Sequence, residues 1–177
     1  MSESNKLTKY KEYIEKLAKD KSREIFLNAT SGHAAVAMSV LFNNTRDVAL
    51  MFSHGLKPDV TTDEFFLKSF ANYIERGGKL FLLLEDLTYF QEPDNFTFLK
   101  KSKDVHVKVI TTESKKELLQ KLKLQDCNFD VFDNKMIRLE YSPDEYKAIA
   151  SFNYAEMAEH LSKVFYEAFN NATVILN

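Results

Sequence analysis

Tryptophan is absent from the 177 residues, and cysteine occurs once, at Cys127. A lone cysteine excludes an internal disulfide and any zinc site built from several thiolates. Glycine (4) and proline (3) are scarce, which excludes collagen-like, linker and low-complexity character. No apolar run reaches membrane-span length, and the longest, LFLLLEDL at 80–87, holds two acids. The opening MSESNKLTKYKEYIEKL has no apolar core of signal-peptide length. Cytoplasm is therefore the expected location, with no membrane partner, and the N-x-T triplets at Asn28, Asn43, Asn95 and Asn171 are expected to be idle. Charge of one sign is also lacking: the formal net charge is −2 and the pI about 6.1. A generic nucleic-acid binder is usually basic, so bulk charge does not support that role.

What is present is an ordinary globular composition, 45% hydrophobic and 28% charged, with aromatic bulk supplied by 15 Phe and 8 Tyr. The length suits one domain over 1–177. Residues 6–21, within an N-terminal segment 1–22, read as an amphipathic helix with Tyr10, Ile14 and Leu17 on one face. A short strand at 24–29 leads to the small-residue helix HAAVAMSVLF. The apolar run DVALMF (47–52) is a buried strand. A helix follows over 61–78, capped by Thr61 or Thr62 and ended by Gly77, with Phe66, Phe70, Tyr73 and Ile74 on its buried side. KLFLLLED (79–86) and VHVKVI (105–110) are the next strands, the second followed by the helix ESKKELLQKLK. The last third changes character. Strands at 129–133, 135–142 and 146–152 turn at Asn134 and at Pro143-Asp144-Glu145, and a helix at 154–169 closes the pattern. Alternating strands and helices followed by short turns predict an α/β fold. Its sheet is mixed, mainly parallel, of about seven strands, with helices on both faces.

The last third also carries a family resemblance. In the phospholipase D-like superfamily a strand bears H-x-K-x4-D, a short hairpin leads to G-S-x-N, and a final helix follows. Here the strand ending at Asp133 is followed by a hairpin, then Ala150-Ser151-Phe152-Asn153, then the helix near Tyr154. The chain resembles that superfamily over most of its length in element order, and over 126–169 in motif. Asp133, Ser151 and Asn153 match. Counting back from Asp133, Asp126 stands at the histidine position and Asn128 at the lysine position, while Ala150 replaces the glycine. In the family one histidine attacks phosphorus and a second protonates the leaving group, while lysine and asparagine neutralise the phosphoryl oxygens. The resemblance therefore implies a degenerate site, since neither Asp126 nor Asn128 does that chemistry and a carboxylate repels phosphate. Single-motif members pair two copies about a two-fold axis, so the resemblance also implies a homodimer.

Other residues compete for a functional role. His106-Val107-Lys108 with Glu113 mimics H-x-K-x4-E, but Glu113 opens a helix and no Ser-x-Asn strand follows at the right distance. Ser31 and His33 follow the first strand, His54 the second, Glu85 and Asp86 the third. Strand ends of this kind line ligand crevices in open α/β sheets, and helix N-termini attract anions. His33, His54, Glu85 and Asp86 are of metal-ligating type, but their spacing does not require a metal. The simpler assignment is Ser31 as a helix cap and two loop histidines. Residues 100–123 hold eight lysines against three acids, a positive patch open to nucleic acid or, the favoured reading, a solvated helix face. His160 reads as a helix-surface residue, and Cys127 as a buried thiol. The sequence thus predicts a non-catalytic phospholipase D-like domain that binds a protein partner or ligand, with no cofactor and no metal. Two alternatives stand beside it: a phosphodiesterase or nuclease using His106 and Lys108, or His33 and His54; and an anion or nucleotide sensor at the strand ends.

Overall fold

The computed structural model describes residues 3–176. In chain order the elements are α1 (Glu3–Lys19), β1 (Phe26–Asn28), α2 (Ser31–Asn44), β2 (Val48–Ser53), α3 (Pro58–Thr61), α4 (Glu64–Glu75), β3 (Lys79–Leu84) and α5 (Thr88–Gln91). They continue with α6 (Thr97–Lys100), β4 (Val105–Val109), α7 (Thr112–Leu122), β5 (Asn128–Phe132), β6 (Met136–Ser142), β7 (Lys147–Ser151), α8 (Ala155–Asn170) and β8 (Thr173–Leu176). The strands form one sheet in the order β1-β7-β6-β5-β2-β3-β4-β8. Only β2–β3 and β3–β4 pair in parallel, and the other five pairings are antiparallel. The mixed α/β sheet with helices on both faces is thus as the sequence predicts, but it has eight strands and antiparallel pairings dominate. The four βα strands do run in one direction. β1, however, lies at the far edge on β7, three strands away from β2. β8, a β-branched run after the last helix, lies at the other edge on β4.

Local chemistry sets the boundaries. Thr30 caps α2 by accepting the His33 N–H at 3.1 Å, so the cap is Thr30 and not Ser31. Asp63 caps α4, accepting from Phe65 and Phe66, while Thr61 and Thr62 belong to the short α3 and its end. A carboxylate suits the positive end of a helix better than a hydroxyl. Gly77, at φ 88, ends α4, with its N–H on Ile74 and that of Gly78 on Tyr73. Gly78 is required sterically, since a Cβ there would lie 2.2 Å from the Tyr73 ring.

The sheet separates two cores. On one face α1, α2, α4 and the short helices bury Phe42, Phe66, Phe70, Tyr73, Leu80, Leu82 and Phe132. Helix α2 is buried continuously from Ala34 to Phe42, because sheet, α1 and α4 enclose it. Its small residues permit that approach. Phe42 is the hub, with ring centroids 4.6 Å from Phe70, 5.3 Å from Phe132 and 5.4 Å from Tyr73. On the other face α7 and α8 cover Leu50, Phe52, Phe129, Val131, Ile137 and Phe165.

Candidate functional site

The first face of the sheet is not wholly apolar. Asn128 and Asp130 alternate on β5, and Arg138 and Glu140 on β6, so all four point to the α2 side with Met51 opposite Asp130. All four are buried, as is Asn28 on β1. Arg138 donates to Glu140 at 2.6 Å, to Asn28 at 3.2 Å and, more weakly, to Asp130 at 3.5 Å. Asn128 donates to the second Glu140 oxygen at 2.6 Å. One guanidinium therefore serves two carboxylates and favours Glu140. Burial pushes the Asp130 carboxyl up to about 7. The Arg138 charge opposes this and Glu140 reinforces it.

This polar floor underlies a pocket whose free space is about 500 Å³ with open solvent included. Met38, Met51, Leu56, Val60 and Phe66 form apolar walls, and Lys57 and Tyr146 stand at the rim. The lining holds no histidine and no cysteine. Beneath α1, the Tyr10 hydroxyl lies within the field of Arg138, buried and without a hydrogen bond among the described residues. None of Asp130, Arg138 or Glu140 was singled out from the sequence. The available signal was alternation: polar or charged residues at 128, 130, 138 and 140 occupy inward positions of two strands that otherwise read as core.

A second cluster lies at the C-terminal ends of the parallel strands. Ser53 and Leu84 are register partners, so His54 and Glu85 leave the sheet side by side. Antiparallel β5 starts at the same edge and brings Asp126 there. His54 Nδ1 is 2.6 Å from Asn128 Oδ1, and His54 Nε2 is 3.1 Å from Asp126. Lys115, on α7, reaches Glu85 at 2.7 Å and Asp126 at 3.4 Å. Burial pulls the Lys115 ammonium down, but Glu85 and then Asp126 outweigh it, and the net direction is up.

Of the candidates read from the strand ends, His54 and Glu85 meet here. Asp86 instead accepts from the Thr88 N–H and hydroxyl. Ser31 and His33 sit at the start of α2 beside the edge strand, with the His33 ring tilted against that of Tyr10, centroids 4.4 Å apart, and no place in the cluster. Of the motif residues, Asp126 and Asn128 join His54. Asp133 instead accepts the backbone N–H groups of Arg46, Asp47 and Val48 at 2.8–3.0 Å. With Asn134 it also supplies the two positive-φ residues of the β5–β6 turn. Ser151 is fully buried and accepts from the Asn153 N–H, and Asn153 donates to Lys21 O at the end of α1, not to α8. The register pairs Ser151 with Ile137, whereas Asn128 pairs with Glu140. Asn128 therefore lies three residues along and two strands across from Ser151, roughly 10 Å in each direction. The two halves of the motif do not converge. Asp133→Ala should cost about 1.5–3 kcal/mol, because three N–H donors lose a charged acceptor. A urea titration checks this.

The other sequence candidates serve packing. His106 stacks on Phe81 at 5.0 Å, and Lys108 donates to Phe169 O at 3.0 Å over that residue's ring. Glu113 is in the first turn of α7. His160 is exposed. Cys127 is buried, and burial, then Asp126, push its thiol up to about 12. The lysine-rich stretch is partly engaged: Lys100 and Lys108 bond the backbone carbonyls of Glu92 and Phe169, and Lys115 and Lys121 are neutralised by the acidic pair and by Glu167. No helix among the described residues is long and apolar enough to cross a membrane.

Neither a family model nor a curated protein sequence matches the chain. Solved structures do. NucT from Helicobacter pylori superposes with a TM-score of 0.60 at 11% identity, over 86% of this chain and 99% of that one. Nuc from Salmonella typhimurium, a phospholipase D family member, gives 0.58 at 11%, over 87% and 100%. TrmBL2, an archaeal chromatin protein described with a novel mode of DNA binding, gives 0.58 at 13%, over 97% of this chain and 63% of that one. At such identity the likeness is one of fold: the chain has the phospholipase D-like architecture.

Proposed function

We infer that this is a non-catalytic phospholipase D-like domain that binds a small polar ligand in the pocket above Arg138. The observation that carries the reading is the make-up of that pocket: a buried cation already held by carboxylates, and neither histidine nor cysteine in the lining. Topology supports it. In the family pattern the motif strand hairpins into the Ser-x-Asn strand, and here the strand that hairpins into β7 is β6. Pro143 follows β6 as Asp133 follows β5. Counting H-x-K-x4-D back from Pro143 puts Met136 at the histidine and Arg138 at the lysine. A cation is retained, and the attacking group is replaced by a thioether. The neighbours in fold include a phospholipase D family member and a chromatin protein, and binding without turnover suits this lining better than cleavage.

A generic phosphodiester and single-stranded DNA should both remain uncleaved above the uncatalysed rate. Among small polar compounds screened by melting shift, the binders should move the Arg138 Nε–H resonance in an NMR spectrum. Turnover that disappears in His106→Ala or His54→Ala, with the fold intact, would refute this reading.

A further inference from the structure

We propose that His54, Glu85 and Asp126 form a binding site for a first-row divalent cation of the zinc class. This stands on the second cluster and is independent of the pocket above Arg138.

The argument begins with the histidine's protons. Asn128 has a fixed orientation: its Nδ2 donates to Glu140, and its Oδ1 accepts the His54 backbone N–H at 2.9 Å. That same Oδ1 is 2.6 Å from His54 Nδ1, so Nδ1 carries a proton and donates it. The other ring nitrogen, Nε2, then faces the Asp126 carboxylate at 3.1 Å. A lone pair cannot face a carboxylate at that distance without a cation or a proton between them. A ring held by an Nδ1–H bond to an amide oxygen, with Nε2 directed at carboxylates, is how metal-ligating histidines are oriented.

Glu85 supplies a second, separate observation. Its Oε1 is buried and makes no hydrogen bond among the described residues. The nearest ring nitrogen, His54 Nδ1 at 3.4 Å, already gives its proton to Asn128. Lys115 holds the other oxygen of this carboxylate at 2.7 Å, which leaves Oε1 open to a cation ligand bond. One ligand atom from each of His54, Glu85 and Asp126 lies within 4.8 Å of the others. Two ligands of a tetrahedral zinc ion are about 3.4 Å apart, given bonds of about 2.0–2.1 Å. Closing from 4.8 Å to that spacing needs movement of up to about 1.4 Å.

One nitrogen and two carboxylates suit zinc, manganese or cobalt. They disfavour magnesium and calcium, which take oxygen throughout, and copper(I), which takes sulfur. Three protein ligands leave coordination positions for water. Lys115 now bridges the two carboxylates and is the built-in competitor. On binding, the cation takes the Nε2 lone pair, any proton there leaves to solvent, and the ammonium swings away.

The test uses the full chain after treatment with a chelator, titrated calorimetrically with zinc chloride near neutral pH and with cobalt(II) by visible absorption. One equivalent should bind with a Kd of about 10 μM or tighter. His54→Asn and Glu85→Gln should each weaken binding at least about tenfold, and Lys115→Met should tighten it by a similar factor. Circular dichroism confirms that each variant is folded, and His33→Ala should bind as the parent does. Weaker or unsaturable binding by the parent chain would overturn the proposal. So would undiminished binding in His54→Asn, loss of binding in His33→Ala, or weakened binding in Lys115→Met.

Discussion

Arg138→Met should destabilise the protein by about 3–5 kcal/mol, read as a fall in urea midpoint at unchanged slope. Methionine fits the space, so the loss is electrostatic. It strands Glu140 and Asp130 in the core, where each was compensated by the same guanidinium. The control is Arg138→Met combined with Glu140→Gln and Asp130→Asn, which removes the uncompensated charges and should recover most of the loss. Failure of the triple variant to recover would mean that the arginine acts through its packing. The network also gives stability a pH dependence. The Asp130 carboxyl in the folded state, at about 7, lies above its ordinary value of 3.8. Between these values the folded chain holds a proton that the unfolded chain has released. Its contribution is therefore complete below about pH 4 and is lost as pH rises through about 7. Asp130→Asn should flatten that part of the stability profile, measured by urea melts across the interval.

Phe42→Ala should be the most damaging single truncation in the larger core, at about 3–5 kcal/mol. The ring is fully buried and touches four other aromatic rings from α4 and β5. Those neighbours come from the sheet and from a helix that is itself pinned. Arg76, at the end of α4, donates to Phe42 O and Thr45 O, closing the C-terminus of α2. The walls therefore cannot collapse into the void. Phe42→Leu, which keeps much of the volume, should cost less than half as much. Equal losses for the two variants would show that edge and face contacts between rings, not volume, hold this core.

Where hydrophobic pattern and turn chemistry spoke with one voice, the residues announced the fold. VALMFS and KLFLLL are strands because they are apolar, short and bounded by turn residues. Asn134 and Pro143-Asp144-Glu145 turn where their side chains allow it. The place of β1 was not legible. Its three residues carry a direction but no mark of partner, and the order βαβ suggests a neighbour that the sheet gives to β3 instead. The candidate site was legible in halves. His54 and Glu85 were found because strand ends converge by topology. Arg138 and Glu140 were hidden because a charged residue in a half-apolar strand reads as solvent-facing, and only pairing reveals that its face is the inner one. The phospholipase D-like motif was anchored on Asp133, whose side chain ties down the 46–48 loop instead.

The pairing of β1 with β7 has a consequence for synthesis. Phe26 meets Ala150, so the first strand has no partner until β7 has been made. At about 5–20 residues per second, the ribosome adds the intervening 124 residues over roughly 6–25 s. Throughout that time β1, and the Asn28 that Arg138 needs, wait beside a nascent chain whose parallel strands β2–β4 are already able to pair. The N-terminal arm can lock only after β7 has emerged. A pause or truncation upstream of β7 would leave Phe26, buried in the folded chain, open to chaperones and to other unfinished chains.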